Sequence, residues 1–160
     1  MDDSPFLKLC RRRKSVRRFA DRPVEREKIE LCLEAARRAS SADNVQPWRF
    51  LVFDEPQKKA ELVDAIFRGA YAFSKQVAAA PVLVCLLIKE NVLVNKVAGT
   101  VQGTQLQLVD AGIGGEHFVL AAADQGLGTC WIGWYDGRAL LKHLGLGVRP
   151  KSLDKRPVLC

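Results

Sequence analysis

The sequence has few of the residue types from which protein-based catalytic and metal sites are usually built. It contains two histidines and five cysteines, and the cysteines are far apart and form no Cys-x-x-Cys pair. This pattern argues against a zinc site or a disulfide framework and is typical of reduced thiols in a cytoplasm. We therefore predict a cytoplasmic protein that holds no metal, with Cys32 and Cys85 as small core residues because their neighbours are apolar.

Long apolar runs are also lacking. The longest, over residues 77–88, is well short of the roughly 20 residues that a helix needs to cross a bilayer. No N-terminal apolar segment precedes a small-residue cleavage site, so no secretory signal is visible. A chain of 160 residues with 48% hydrophobic and 27% charged residues fits one globular domain, over residues 1–160, with no membrane partner.

Positive charge is abundant, above all near the N-terminus. The 25 lysines and arginines exceed the 18 aspartates and glutamates by a net charge of +7, and many of them fall within residues 8–22. Such a cluster attracts a nucleic-acid backbone, a membrane surface or the phosphate of a small cofactor, and a solvated basic face is the plainer interpretation. In an extended chain Arg13, Ser15 and Arg17 share one face, and two guanidinium groups beside a hydroxyl suit a phosphate.

Hydrophobic periodicity predicts an α+β fold with a small sheet between helices. Helices are predicted over residues 25–38, 57–68, 106–125 and 139–144. Strands are predicted over residues 49–53, 81–88 and 129–134, with a further strand beginning at residue 156. The segment 81–88 is apolar on both faces, which is typical of a central strand.

Glycines interrupt the long helix pattern at positions 112, 114 and 115. Each costs up to about 1 kcal/mol relative to alanine. A close contact with another helix, within the chain or across a dimer, would explain them, and a local kink is the alternative. These glycines and the pair Gly126 and Gly128 do not complete a dinucleotide-binding fingerprint between a strand and a helix.

A polar loop follows the first predicted helix. It offers the amides of Asn44 and Gln46, which can read the edge of a planar heterocycle, and Pro47 stiffens its exit. A simple helix cap and turn would have a similar composition.

Several motifs occur together in a recognisable order. They are Arg13-Lys-Ser-Val-Arg-Arg-Phe19, Asp21-Arg-Pro-Val24, Ala35-Ala-Arg37, Ser41-Ala-Asp-Asn-Val-Gln-Pro-Trp48 and Gly126-Leu-Gly-Thr-Cys-Trp-Ile-Gly133. In this order, with Ala80-Pro-Val-Leu-Val84 and Asp110-Ala-Gly-Ile113 between them, the chain resembles the FMN-dependent nitroreductase family from about Leu9 to its last residue. The resemblance implies a three-layer sandwich, with a small, mostly antiparallel sheet flanked by helices, in an intertwined homodimer.

The resemblance also implies an oxidoreductase. Flavin mononucleotide (FMN) would accept hydride from NADH or NADPH and pass it in a second half-reaction, by a ping-pong scheme, to a nitroaromatic, a quinone or a similar small oxidant. The chemistry belongs to the cofactor, so no catalytic side chain is expected.

The resemblance transfers cofactor-binding roles to three segments. Arg13, Lys14 and Ser15 match the residues that hold the phosphate and ribityl end, and Arg17 matches a cation near the pyrimidine edge of the ring. In the loop, the residues that match contacts to the cofactor's ribityl chain and ring are Ser41, Asn44 and Gln46. In the strand that runs beside the ring, the matching residues are Trp131, Ile132 and Gly133.

The chain departs from the family pattern at several points. Ser40 stands where proline is common, and Asp43 stands where glycine or a small residue is usual. The chain stops at Cys160, where family members usually continue into a C-terminal segment, so we expect either a longer natural protein or a shortened member with weaker retention of FMN. A relative that binds FMN or another phosphorylated ligand without turnover is the alternative, and a nucleic-acid-binding basic domain is a third, although interleaved aromatic residues and a recognition helix are missing.

Overall fold

The computed structural model describes residues 4–89 and 105–146 and the backbone of residues 158–159. Its α-helices are α1 (Pro5–Arg12), α2 (Arg26–Arg37), α3 (Pro56–Ile66), α4 (Leu106–Asp124) and α5 (Gly137–His143). Its strands are β1 (Trp48–Phe53), β2 (Leu83–Ile88) and β3 (Val158–Leu159), and short 3-10 segments cover Ala42–Asn44 and Gly69–Ala79. The α+β class is confirmed, and α2 to α5 and all three strands lie where the sequence predicts them.

The strands form an antiparallel sheet in the order β1-β2-β3. Trp48 pairs with Ile88 at one end of β1, and Phe53 pairs with Leu83 at the other. The central strand β2 is almost wholly buried, which confirms the interpretation of its continuous apolar run.

Side chains of β2 alternate between two helical layers, as the two-residue period of a strand requires. Leu83 and Cys85 pack with buried residues of α3 and α5, namely Leu62, Val63, Ile66 and Leu140. On the opposite face Val84 packs with buried residues of α2 and α4, namely Cys32, Ala36, Phe118, Val119 and Ala122. The three-layer sandwich that the resemblance implies is therefore present.

Cys32 and Cys85 are core residues, as predicted, and neither has exposed surface. Burial raises the pKa of the Cys32 thiol to about 11 and the pKa of the Cys85 thiol to about 12. Both groups therefore remain protonated at neutral pH and behave as small hydrophobic side chains.

Helix α1 is absent from the predictions made on the sequence. The Ser4 hydroxyl accepts a hydrogen bond from the Leu7 N–H at 3.2 Å, and Pro5 occupies the first turn, so the helix has an ordinary capped start. At its other end the Arg12 guanidinium donates to the backbone carbonyls of Ala123 and Asp124 at 2.6 and 2.9 Å. This arginine caps the C-terminus of α4, where a cation is favourable.

The prediction of a strand over residues 129–134 is wrong. Thr129 forms a single parallel bridge with Ser15, and Ile132 also takes part only in an isolated bridge. The apolar pattern of this segment reflects burial of Cys130 and Ile132 rather than a continuous ladder.

Two of the glycines in α4 allow close contact with tryptophan rings. A Cβ atom at Gly114 would stand 3.0 Å from the Trp48 ring, and one at Gly115 would overlap the Trp131 ring. A Cβ atom at Gly112 would meet nothing within 4 Å in the part of the chain that the structure describes. For Gly114 and Gly115, the expected close approach is present, but its partner is an indole ring and not a second helix.

Gly115→Ala is expected to lower the free energy of unfolding by about 1–3 kcal/mol, because the added methyl group displaces the Trp131 ring. Gly112→Ala is the matched control, and there a gain of up to about 1 kcal/mol is expected from helix propensity alone. Chemical denaturation of both variants measures the difference. Equal effects at the two positions would contradict the packing described here.

Candidate functional site

The basic leader, residues 13–17, runs as an extended segment beside the chain that follows α4. The Val16 N–H donates to the Thr129 carbonyl at 2.8 Å, and Ser15 is bridged to Thr129. Val16 turns inward, since a Cβ atom at Gly128 would stand 2.7 Å from its side chain. Ser15 and Arg17 are exposed, as expected where neighbouring side chains point to opposite faces.

The leader carries cations that acidic groups do not neutralise. Arg13 lies 3.3 Å from the Glu116 carboxylate of α4, in a partly exposed ion pair. Lys14 and Arg17 are exposed, and within residues 4–89 and 105–146 their side chains make no hydrogen bond or ion pair. These two cations are therefore available to an anion.

The amide loop, residues 41–46, is held at both ends. The Gln46 N–H donates to the Ser41 hydroxyl at 2.9 Å, and the Gln46 side-chain amide donates to the Arg37 carbonyl of α2 at 3.3 Å. The Ala42 N–H donates to the carboxylate of Asp110 on α4 at 3.0 Å. The loop is thereby tied to two helices.

Left-handed backbone conformations concentrate in the same loop. Asp43, Asn44 and Gln46 have φ angles of 49°, 53° and 46°. This conformation costs an ordinary residue roughly 1–2 kcal/mol, and aspartate and asparagine tolerate it best after glycine. The positive φ at Asp43 explains why a residue of this type can stand where a glycine or small residue is usual.

Residues 131–133 are the third segment predicted to bind the cofactor, and two of their side chains pack in the interior instead. The Trp131 ring packs against Gly115, near Leu86, and the Ile132 side chain is buried in the core. Gly133 is exposed, and a Cβ atom there would meet no described residue within 4 Å. Of these residues, Gly133 alone presents open backbone with unoccupied space beside it.

Helix α4 connects the leader and the loop. Glu116 contacts the leader and Asp110 contacts the loop. The two carboxylates are six residues apart, which is about 9 Å along a helix axis. Within the described ranges, hydrogen bonds and ion pairs join each segment to α4 and do not join the two segments to one another.

A cavity of about 270 Å³ lies on the inner side of the leader. Its wall includes Val16 and Arg18 from this part of the chain, Cys32 from α2 and Phe118 from α4. Of the predicted cofactor-binding residues, Ile132 alone lines it. Ser15 and Arg17 do not line this cavity. The cavity is therefore separate from the exposed surface on which these two side chains lie.

Two polar residues of α4 were not assigned a role from the sequence. Gln107 and Asp110 are only 6% and 5% exposed, and the Gln107 Oε1 atom has no hydrogen-bond partner among the described residues. Their spacing in the sequence could have indicated this, because residues three apart lie on the same face of a helix. Here that face packs in the interior.

The sequence model of the Nitroreductase family matches residues 10–154. This chain therefore belongs to the nitroreductase family. A protein of Archaeoglobus fulgidus named "Putative NADH dehydrogenase/NAD(P)H nitroreductase" is 30% identical over 138 residues, 86% of this chain and 72% of that protein. The FMN reductase (NADPH) of Bacillus subtilis is 25% identical over 127 residues, 75% of this chain and 50% of that protein.

Solved structures show the same fold. A nitroreductase family protein from Clostridium novyi matches with a TM-score of 0.78 and 28% identity, over 98% of this chain and 83% of that chain. A protein from Desulfovibrio desulfuricans, described as "a putative nitroreductase in complex with fmn", matches with a TM-score of 0.75 and 29% identity, over 99% and 85% of the two chains. In the part of this chain that the structure describes, no helix is long and apolar enough to cross a membrane.

The chemistry of the exposed groups fits FMN. Lys14 and Ser15 offer a cation and a hydroxyl to a phosphate, and Arg17 offers a second exposed cation. Asn44 is exposed, and its side-chain amide makes no hydrogen bond within the described ranges, so it can contact the ribityl chain or the ring edge. The open backbone at Gly133 permits close approach of a planar group.

Glu116→Gln is expected to raise the affinity for FMN about two- to fivefold, because it removes a carboxylate that competes with phosphate for Arg13. Glu30→Gln is the matched control, since Glu30 pairs with Arg26 at 2.9 Å on α2 and the change in charge is the same. Quenching of flavin fluorescence measures both affinities. The difference should shrink as salt is added, and unchanged or weaker binding by Glu116→Gln would count against competition at Arg13.

Proposed function

We propose that this chain is an FMN-dependent oxidoreductase that passes hydride from NADH or NADPH to a nitroaromatic, a quinone or a similar small oxidant in two alternating half-reactions. One observation carries the proposal: an exposed cationic leader and a conformationally strained amide loop are both attached to the same helix in a nitroreductase fold. The family, and the relatives named for FMN and NAD(P)H, support it.

The proposed roles divide between the two ends of the cofactor. Arg13, Lys14 and Ser15 bind the phosphate and the ribityl end. Arg17 supplies a fixed positive charge beside the pyrimidine edge. FMN, when bound, supplies the hydride-transfer chemistry, and the protein binds and orients it.

The ring is bound, in this proposal, by the amide loop and by the segment after α4. Hydrogen-bonding groups come from Ser41, Asn44 and Gln46. Residues 131–133 contribute through their backbone, because the side chains of Trp131 and Ile132 are occupied in packing. No side chain is assigned as a catalytic acid, base or nucleophile.

We propose further that the protein acts as a cytoplasmic homodimer. Phe6 and Leu7 of α1 and Leu108 and Val109 of α4 are between 41% and 61% exposed, more than isolated apolar residues on a solvated surface require. The cysteines in the described part are free thiols, as a reducing compartment requires.

The purified protein is expected to carry, or to take up, FMN with visible flavin absorbance, and anaerobic NADH or NADPH should bleach that absorbance. Addition of a quinone should restore it without a nicotinamide present, as two separate half-reactions require. A protein that takes up no added FMN would contradict the proposal. Flavin that is bound but reduced by neither nicotinamide would favour the alternative of a relative without turnover.

Arg17→Gln is expected to lower the reduction potential of bound FMN by about 20–30 mV, because a fixed positive charge favours the form of the flavin with more negative charge. The loss of about 1 kcal/mol of charge interaction corresponds to roughly 20 mV for two electrons. Arg18→Gln, the matched control, removes the neighbouring charge on the cavity side. Equal potentials in the two variants would refute the local role of Arg17.

A further inference from the structure

Asp110 is a carboxylate within the buried face of α4. It is 5% exposed, and the buried helix positions around it are Gln107, one turn before it, and the apolar or glycine positions Ala111, Gly114 and Phe118. A buried carboxylate is unfavourable unless it is hydrogen-bonded. An apolar side chain would serve packing better at this position, so packing does not explain the residue.

The hydrogen bond of Asp110 explains it. Its Oδ1 atom accepts the Ala42 N–H at 3.0 Å, although the two residues are 68 positions apart in the chain. Ala42 begins the 3-10 turn that carries Asp43 and Asn44 in the left-handed conformation. The bond therefore fixes the loop at the start of its strained part.

The other ties of the amide loop do not hold it to α4. The Gln46 N–H bonds to Ser41 inside the loop, and the Gln46 side chain bonds to the Arg37 carbonyl of α2. Among the hydrogen bonds of the described residues, the one from Ala42 to Asp110 sets the position of the loop relative to the helix that also holds Arg13 through Glu116.

We propose that Asp110 is a positioning residue, which holds the backbone of the amide loop so that Ser41, Asn44 and Gln46 are arranged to receive the cofactor before it binds. This inference rests on the proposed function, because it assigns the loop to FMN. A prearranged loop loses less conformational freedom on binding, and affinity rises accordingly. Asp110 itself need not touch the cofactor.

Asp110→Ala and Asp110→Asn test the proposal. The alanine variant removes the acceptor, and FMN should bind about tenfold more weakly, or more, since a hydrogen bond to a charged group is lost. The asparagine variant retains an oxygen acceptor for Ala42 and should bind within about two- to fivefold of the wild type. Val119→Ala, at a buried position of the same helix that does not contact the loop, is the control for loss of stability alone.

Flavin-fluorescence titration measures FMN affinity, and hydrogen exchange of the peptide that contains Ala42 measures the loop in the absence of cofactor. We expect exchange at Ala42 to be at least about tenfold faster in Asp110→Ala, near the wild-type rate in Asp110→Asn, and unchanged in Val119→Ala. If Asp110→Ala does not fold, Asp110→Glu replaces it, because the longer side chain displaces the acceptor and the same losses are expected.

Wild-type affinity for Asp110→Ala or its replacement would overturn the proposal, and so would an equal loss in Val119→Ala. A loss in Asp110→Asn as large as in Asp110→Ala would also overturn it, because charge and not the hydrogen bond would then be responsible. A wild-type protein that binds no FMN would refute the proposed function. Exchange at Ala42 would still decide whether Asp110 holds the loop.

Discussion

The close approach of helix α4 to two tryptophan rings is the constraint on which the rest of the site depends. Gly114 and Gly115 leave room for the rings of Trp48 and Trp131, and any side chain at Gly115 would push Trp131 away. Trp48 begins β1 directly after the amide loop, and Trp131 follows the segment that bridges the leader. The same close packing therefore positions both parts of the candidate site, since well-packed interiors transmit small displacements.

Ion pairing differs between the leader and the C-terminal end of α2. On α2, Arg37 and Arg38 both bond to Glu34, and these bonds lower the pKa of the Glu34 carboxyl to about 2. This single carboxylate offsets one of the two positive charges. In the leader, Glu116 is paired with Arg13, whereas Lys14 and Arg17 face solvent without a carboxylate in the described ranges. Lys14 and Arg17 are therefore two cations of the leader that a phosphate can reach, and the net charge of +7 does not by itself locate them.

Much of the fold is predictable because apolar residues recur in the sequence with the period of the helix or strand whose face they bury. The apolar run 81–88 predicts the central strand, and the spacing of Ile29, Cys32 and Ala36 predicts the buried face of α2. Helix α1 escapes this logic because it has no buried residue, so only Ser4 and Pro5 mark its start. Residues 129–134 are apolar because some of them are buried, although they do not pair as a strand. Periodicity alone does not distinguish a buried strand from a buried segment without strand pairing.

The predictability of the candidate site differs from segment to segment. Residue type and order predict which residues form the leader and the loop, because cations, hydroxyls and amides are the donors that a phosphorylated ring compound needs. The bond between Asp110 and Ala42 depends on packing of distant elements, so no local pattern reports it. The positive φ of Gln46 is equally hidden, since glutamine has no preference for that conformation.

The two faces of α4 differ in what they contact. Its inner face carries Gly114 and Gly115 against the rings, and its outer face exposes Leu108, Val109 and Gly112, which positions three and four apart place close together. Among the described residues a Cβ atom at Gly112 would meet nothing within 4 Å, so this part of the chain does not require glycine there. Leu108 and Val109 are the exposed apolar residues of α4 that the proposed second copy would cover. The helix that supports the leader and the loop would then also form the contact with the second copy.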